Sequence, residues 1–313
     1  MLLGLLHSAL GIVLLVGGAT LLVKGSSKLA DLLGVPPVLI GLTVVAWGTS
    51  VPELVVALAA AAQGSSGIVL GNVVGSNLAN TGLILGLAAM LMAPRVERRL
   101  WTFDVPALLA STALFVIFLA DGDIDGLEGG VLMAVFGFVT FMTVRKAFLH
   151  PRAIELPEEP KPLAKGVTVN LLIAVLGVAG LVVGGQLLVK AAIRLAEALG
   201  VSDMVIGLTL VAVGTSLPEL ATTLVAAVRR ECGIALGNVI GSNIFNLLAV
   251  SGPAALIRPI VLGEGGVWRE TGGLIAITLL LPLLLVGRER MTRAGGLALL
   301  LLYCAFITWR IVA

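Results

Sequence analysis

The chain has 313 residues, of which 58% are hydrophobic and 12% charged, with 39 glycines, a net charge of +2 and a mean hydropathy of +1.12. Soluble domains are about 45–50% apolar and about 25% charged, so a water-soluble globular protein is all but excluded, and a disordered chain with it. The charge balance gives no basis for a nucleic-acid partner, and two cysteines, Cys232 and Cys304, cannot build a disulfide framework. What remains is an all-α polytopic integral membrane protein.

Apolar runs bounded by charge, Gly or Pro fall at 5–23, 35–62, 67–92, 101–120, 127–144, 167–189, 201–228, 233–257, 267–286 and 295–312. A helix needs about 20 apolar residues to cross a bilayer, so the pattern predicts ten transmembrane helices. The alternating segments of an outer-membrane barrel do not occur. The first run has no basic residues ahead of it and is expected to be a span, not a cleaved signal. The runs 35–62 and 201–228 are longer than a bilayer requires, which allows tilt or an internal break. Fifteen of the 20 Lys and Arg residues lie in connections after odd-numbered spans. That bias puts those connections in the cytoplasm and both termini outside, in the cell membrane. The one long polar stretch, 145–166, is rich in Pro and charge and is expected to be a cytoplasmic linker between halves 1–144 and 167–313.

The two halves repeat one another. Residues 41–86 align without a gap on 207–252, at a constant offset of 166, with 25 of 46 positions identical. Apolar bias yields scattered Leu, Val and Ala matches. It does not yield G-T-S-x-P-E-L and G-N-x-x-G-S-N twice in one order. The repeats begin five crossings apart, and an odd number of crossings inverts orientation. The fold expected is two inverted five-helix repeats, an arrangement that in many transporters places the substrate site at interrupted helices near the midplane.

Each repeat reads as a helical hairpin. The first turns at QGSSG, and Glu53 and Ser76 are equidistant from its centre. At about 1.5 Å per residue both sit roughly 17 Å from the turn, close to the middle of a hydrocarbon core about 30 Å thick. Thr49 and Asn80 form a second level, each four residues from its neighbour on the same helix face. The second hairpin turns at RREC and repeats the arrangement with Glu219, Ser242, Thr215 and Asn246. An ionised side chain at that depth costs about 2.5–3.5 kcal/mol on insertion scales, and the span interiors of the repeats hold no Lys, Arg or His to pair with it. A bound cation or protonation must compensate. Pro52 and Pro218 lack an N–H and free the carbonyls of Gly48 and Gly214 four residues back. Carbonyls, hydroxyls, amide oxygens and carboxylates make an all-oxygen set, suited to hard cations such as Ca²⁺ or Na⁺ and lacking the His and Cys that zinc or copper favour. Gly71-x-x-x-Gly75 and Gly237-x-x-x-Gly241 suit close helix packing.

These duplicated segments resemble the alpha-repeats of the sodium/calcium exchangers, within the calcium/cation antiporter superfamily. The motifs cover about 92 residues, and the ten-span layout extends the resemblance over the chain. The resemblance implies Ca²⁺ efflux driven by Na⁺ entry through alternating access, with Ca²⁺ and Na⁺ as transported ions and no resident cofactor. It implies Ca²⁺ carboxylates at Glu53 and Glu219, helped by the carbonyls of Thr49 and Thr215. It further implies Na⁺ sites at Ser50, Ser76, Ser216, Ser242, the side chains of Thr49 and Thr215, and the carbonyls of Ala46 and Ala212. Where exchangers often carry one Asp, both Asn80 and Asn246 are amides here. Two formal charges then balance one Ca²⁺ or two Na⁺, which favours electroneutral exchange.

A Ca²⁺/H⁺ or other divalent-cation antiporter using the same two Glu is the alternative. A membrane enzyme such as a lipid pyrophosphatase is disfavoured, because phosphate chemistry wants cations at depth and the repeats contain none. A channel would want a continuous polar row. Nothing in the pattern implies an oligomer. Asp121-x-Asp123-x-Asp125-Gly126 opens like an EF-hand loop, but its twelfth position is Leu132, and a solvated acidic turn is expected. Trp47, Trp101, Trp268 and Trp309 read as packing or interface anchors. His7 and His150 have no metal partner in sequence.

Overall fold

The computed structural model describes residues 2–98, 100–149, 163–198, 212–263, 266–285 and 290–312. They form helices α1 (Leu2–Leu33), α2 (Pro37–Thr49), α3 (Val51–Ala62), α4 (Ser66–Met92), α5 (Leu100–Leu119), α6 (Gly126–Leu149), α7 (Leu163–Ala198), α8 (Ala212–Thr215), α9 (Leu217–Val228), α10 (Cys232–Ile257), α11 (Gly266–Leu285) and α12 (Arg293–Val312). Strand β1 (Asp123–Ile124) pairs antiparallel with β2 (Ile260–Val261). Among the described residues six helices are long and apolar enough to cross a membrane, or seven if α2 and α3, bent by 46° at Ser50, form one span. Three shorter apolar helices, Leu217–Val228, Thr271–Leu285 and Arg293–Trp309, fall where three further spans are expected. The start of the 201–228 run lies outside the described residues.

Three helices, α1, α6 and α7, run past their expected limits. α1 continues ten residues beyond Val23, through Lys24, Lys28 and Asp31, and stops only at Gly34, whose φ of +67° ends a helix without a Cβ clash. The expected linker 145–166 is helical at both ends, since α6 reaches Leu149 and α7 begins at Leu163. Helical hydrogen bonding survives in the headgroup region and in water, so charge marks the edge of the hydrocarbon and not the end of the helix.

α1 and α7 pack antiparallel along glycines spaced by seven. A Cβ on Gly18 would stand 2.7 Å from Gly177 O, one on Gly184 2.7 Å from Leu15 N, and one on Gly25 2.8 Å from Asn170 O. The heptad spacing keeps one seam facing its partner along both helices. Their other faces, with Leu6, Val13, Leu172 and Leu176, are exposed and apolar, as lipid requires. At the opposite extreme α10 is the central element: 94% of its apolar window is buried, against 17% for α6 and α7.

The two hairpin turns share a geometry. In α3–α4, Gly64 has a φ of +73°, and Ser65 N and Gly64 N donate to Ala60 O (2.9 Å) and Ala61 O (3.0 Å). In α9–α10 the same bonds run from Glu231 N to Ala226 O (2.9 Å) and from Arg230 N to Ala227 O (3.0 Å), with Arg230 at a φ of +63°. These are Schellman closures, and the second places a non-glycine in the left-handed region. The first turn docks on β2, where Ser66 Oγ accepts from Val261 N at 3.1 Å. The second meets α1, where Ser27 Oγ donates to Glu231 Oε1 at 2.7 Å.

The acidic turn beside β1 is a helix cap. Asp125 Oδ1 accepts from Glu128 N (2.8 Å), and Glu128 Oε2 accepts from Asp125 N (3.0 Å). That reciprocal pair is a capping box at the start of α6 and engages one of the Asp125 oxygens that an EF-hand loop would use. Trp47 packs with Phe136 and Phe245 at centroid distances of 5.6 and 6.5 Å, and Trp101 Nε1 donates to Leu285 O at 3.1 Å. Trp309 is exposed beside Phe306, while the side chain of Trp268 and all of His150 lie outside the described residues.

Candidate functional site

Both broken helices break at a serine. Ser50 has φ −88° and ψ +7°, Ser216 has φ −86° and ψ +4°, and in each case Pro follows within the first turn of the next helix. Pro is well tolerated there, and its missing N–H leaves the preceding turn open. The break brings Glu53 and Glu219 to the first turns of α3 and α9, where the helix N-terminus favours negative charge. Both carboxylates are buried, at 1% and 0% exposure.

The hydrogen bonds cross between the repeats. Ser50 Oγ donates to Glu219 Oε1 at 2.8 Å, and Ser216 Oγ lies 3.4 Å from Glu53 Oε1. Ser216 also approaches Ser76 Oγ at 3.5 Å, and Ser242 Oγ approaches Ala46 O at 3.5 Å. The acid of one half is thus met by the hydroxyl of the other. Glycine makes this approach possible: a Cβ on Gly237 would stand 2.6 Å from Val38 O, and one on Gly241 2.6 Å from Leu42 O. A Cβ on Gly71 or Gly75 meets nothing within 4 Å among the described residues, so close packing at this motif is seen on the second repeat.

Several buried polar atoms at this depth have no hydrogen-bond partner among the described residues. They are Glu53 Oε2, Glu219 Oε2, both ends of the Asn80 and Asn246 amides, and Thr222 Oγ1. Buried polar groups are ordinarily hydrogen-bonded, so a cluster of exceptions, five of the seven atoms being oxygens, fits a cation as the partner. No group of three or more His, Cys, Asp or Glu side chains able to hold a metal occurs among the described residues, so a cation at this place would draw its further donors from hydroxyls, amides and carbonyls.

The backbone contributes through three π-helical turns, Gly41–Val45, Ala79–Ile84 and Asn246–Val250. Ala46 directly follows the first, Asn80 lies in the second, and Asn246 opens the third. A π-turn inserts a residue into the helical ladder, re-aims side chains and loosens carbonyls, which is why such turns gather at functional sites.

Of the twelve residues singled out from sequence, Thr49, Ser50, Glu53, Ser76, Asn80, Ser216, Glu219, Ser242 and Asn246 are buried polar groups, and Ala46 is buried with its carbonyl facing Ser242. Thr215 is half-buried at the end of α8, and of Ala212 only the backbone is described. Sequence reasoning passed over the first Asn of each G-N-x-x-G-S-N segment. Asn72 Nδ2 donates to Glu53 O at 2.8 Å, and Asn238 Nδ2 lies 3.5 Å from Glu219 O. It also passed over Asn243, whose Nδ2 donates to Thr81 Oγ1 at 2.6 Å between the repeats. The signal was available, since the motif carries both asparagines twice.

Known proteins share this sequence and architecture. The sodium/calcium exchanger protein family matches residues 3–145 and 169–312. The chain is 38% identical to CaxA of Alkalimonas amylolytica, over 99% of this chain and 98% of that one. It is 36% identical to the sodium/calcium exchanger MaX1 of Methanosarcina acetivorans, over 95% of each. The sodium-calcium exchanger NCX_Mj, soaked with 10 mM Na⁺ and zero Ca²⁺, superimposes with a TM-score of 0.87 at 34% identity, over 98% of both chains. The chain belongs to the sodium/calcium exchanger family and is a membrane cation antiporter.

Proposed function

We propose that this antiporter exchanges Ca²⁺ for Na⁺ by alternating access at one oxygen-lined pocket between two inverted five-helix repeats. Glu53 and Glu219 supply the charge, and Thr49, Thr215, Ser50, Ser216, Ser76, Ser242, Asn80, Asn246 and the Ala46 and Ala212 carbonyls supply neutral oxygens. The ten spans are α1, α2–α3, α4, α5, α6, α7, α8–α9 with the run before it, α10, α11 and α12. Both termini lie outside and the 145–166 connection lies in the cytoplasm. The pairing of β1 with β2, and of Arg95 with Arg290, joins connections that the charge bias assigns to the same side.

The observation that carries this reading is the reciprocal approach of Ser50 to Glu219 and Ser216 to Glu53, with the second carboxylate oxygen of each acid unpartnered inside an apolar bundle. Two bare carboxylates in low dielectric repel one another and are poorly solvated, so an empty pocket is expensive to move between the two faces. One Ca²⁺ or two Na⁺ neutralise the pair. Either cargo permits the crossing, and the empty transporter stalls. That stall enforces exchange over leak.

The test is ⁴⁵Ca²⁺ uptake by proteoliposomes under opposed gradients. Uptake should follow an outward Na⁺ gradient without net charge movement, and Glu53→Gln or Glu219→Gln should abolish it while the protein stays folded. Uptake that ignores Na⁺ and follows a pH gradient would instead assign the protons to the same two acids. A reversal potential showing one net charge moved per Ca²⁺ would reject electroneutrality.

A further inference from the structure

The G-N-x-x-G-S-N segments contain a residue to which the pocket gives no direct task. Asn238 stands one helical turn before Ser242 and is fully buried. Asn246, farther along the same helix, has an amide with no partner at either end among the described residues, whereas both ends of the Asn238 amide are engaged. Its Nδ2 donates to Thr223 Oγ1 at 2.9 Å and lies 3.5 Å from Glu219 O, while its Oδ1 accepts from Thr49 Oγ1 at 3.2 Å. An amide held in this way by three protein groups is fixed in orientation by the protein. It is a tie between the two repeats.

Thr49 is the residue that most needs one. It is the last residue of α2, immediately before the break at Ser50, where the chain leaves the helix. Its hydroxyl also meets Ala46 O in its own turn, at 3.2 Å, and faces the Glu219 carboxyl that it has to stay aligned with. The twin residue Asn72 makes the corresponding bond to Glu53 O, but it is half-buried, and Ala57 stands where Thr223 stands in the second repeat. The second half therefore anchors its asparagine more firmly, on a hydroxyl that the first half lacks.

We infer that Asn238 is a positioning residue that holds the Thr49 hydroxyl in register with Glu219 across the repeats, and thereby sets the pocket's preference between Na⁺ and Ca²⁺. This rests on the proposed exchange pocket. Na⁺ relies on neutral oxygens such as the Thr49 hydroxyl, whereas Ca²⁺ draws most of its binding from the two carboxylates. Loss of the tie weakens Na⁺ more than Ca²⁺.

The experiment measures half-saturating Na⁺ and Ca²⁺ for exchange in proteoliposomes with the parent, Asn238→Leu, Thr49→Val and the double variant. A hydrogen bond of ordinary net strength corresponds to a threefold to tenfold change in an equilibrium. Asn238→Leu should raise half-saturating Na⁺ by roughly that factor and half-saturating Ca²⁺ by less than about twofold. The double variant should be no worse than the worse single, since both remove one contact. A purely structural role would lower the unfolding temperature and the maximal rate and leave the Na⁺-to-Ca²⁺ ratio unmoved. An unmoved ratio, or single effects that multiply in the double variant, overturns the inference. Should Asn238→Leu not fold, Thr223→Val keeps the test, with a Na⁺-selective rise of about twofold to threefold in support and no rise against. Failure of the parent to exchange the two ions overturns the proposed function itself, which separates the two outcomes.

Discussion

A single methyl group at Gly241 tests whether the close approach of α10 to α2 builds the pocket. A Cβ there would stand 2.6 Å from Leu42 O and 2.8 Å from both Leu42 Cα and Ala46 Cβ. Ordinary contact begins at 3.4 Å, so the helices must part by about 0.8 Å, and backbone atoms on the α2 side cannot swing aside as a flexible side chain could. The next residue, Ser242, faces Ala46 O, so the strain falls directly on the pocket wall. Overpacking of this kind costs about 1–3 kcal/mol of stability, and a misplacement near 1 Å at a reacting centre costs on the order of a hundredfold in rate. Gly241→Ala should therefore insert and fold with a lowered unfolding temperature and lose roughly tenfold to a hundredfold of its Na⁺-driven ⁴⁵Ca²⁺ uptake. Gly17→Ala, where a Cβ meets nothing within 4 Å, is the matched control and should behave as the parent. Gly241→Ala exchanging within threefold of the parent would refute the reasoning.

Other perturbations follow from the same contacts. Ser50→Ala should raise half-saturating Ca²⁺ by about tenfold or more, because hydrogen bonds to charged groups carry about 1.5–3 kcal/mol, and Ser216→Ala should raise it far less, because its contact is 3.4 Å against 2.8 Å. Equal effects in Ca²⁺ titrations would contradict that asymmetry. Arg230→Gly should stabilise the protein by about 1 kcal/mol in thermal unfolding by relieving the left-handed turn, whereas Gly64→Ala should destabilise it, since a Cβ there would also collide with the Arg258 guanidinium. Asp125→Ala should cost about 1 kcal/mol of stability through the lost cap and leave Ca²⁺ transport unchanged. A fall in Ca²⁺ affinity would turn the cap into an ion site.

The hairpins were legible because hydrophobic length, turn residues and a repeated motif all pointed the same way. The turn at Gly64, the breaks beside Pro52 and Pro218 and the burial of both acids follow from rules that act over a few residues. What stayed hidden depends on contacts between distant segments. Spacing within one hairpin places Glu53 level with Ser76, but it cannot show that Ser216 of the other repeat would approach both. The π-turns around Asn80 and Asn246 leave no mark in composition, because the same residues would serve an α-helix. The α1–α7 seam is an intermediate case: glycines at 11, 18 and 25 face 177 and 184 at intervals of seven, a pattern present in the sequence and lost among 39 glycines. The continuation of α1 past Lys24 and Lys28 was missed because hydropathy marks where lipid ends, and helices do not stop there.

The exchange of partners between Ser50 and Glu219, and between Ser216 and Glu53, means that neither half carries the proposed pocket complete. A fragment ending before residue 150 would carry an acid whose hydroxyl neighbour sits on the missing piece. Two identical copies of such a fragment, related by a two-fold axis, would regenerate the reciprocal arrangement by symmetry. Fusion into one polypeptide frees each copy to specialise, and the traces are visible: Thr223 against Ala57, Arg230 against Gly64, and Thr81 against Leu247. Severing the chain between residues 150 and 162 and co-expressing the pieces should thus restore transport that neither piece has alone.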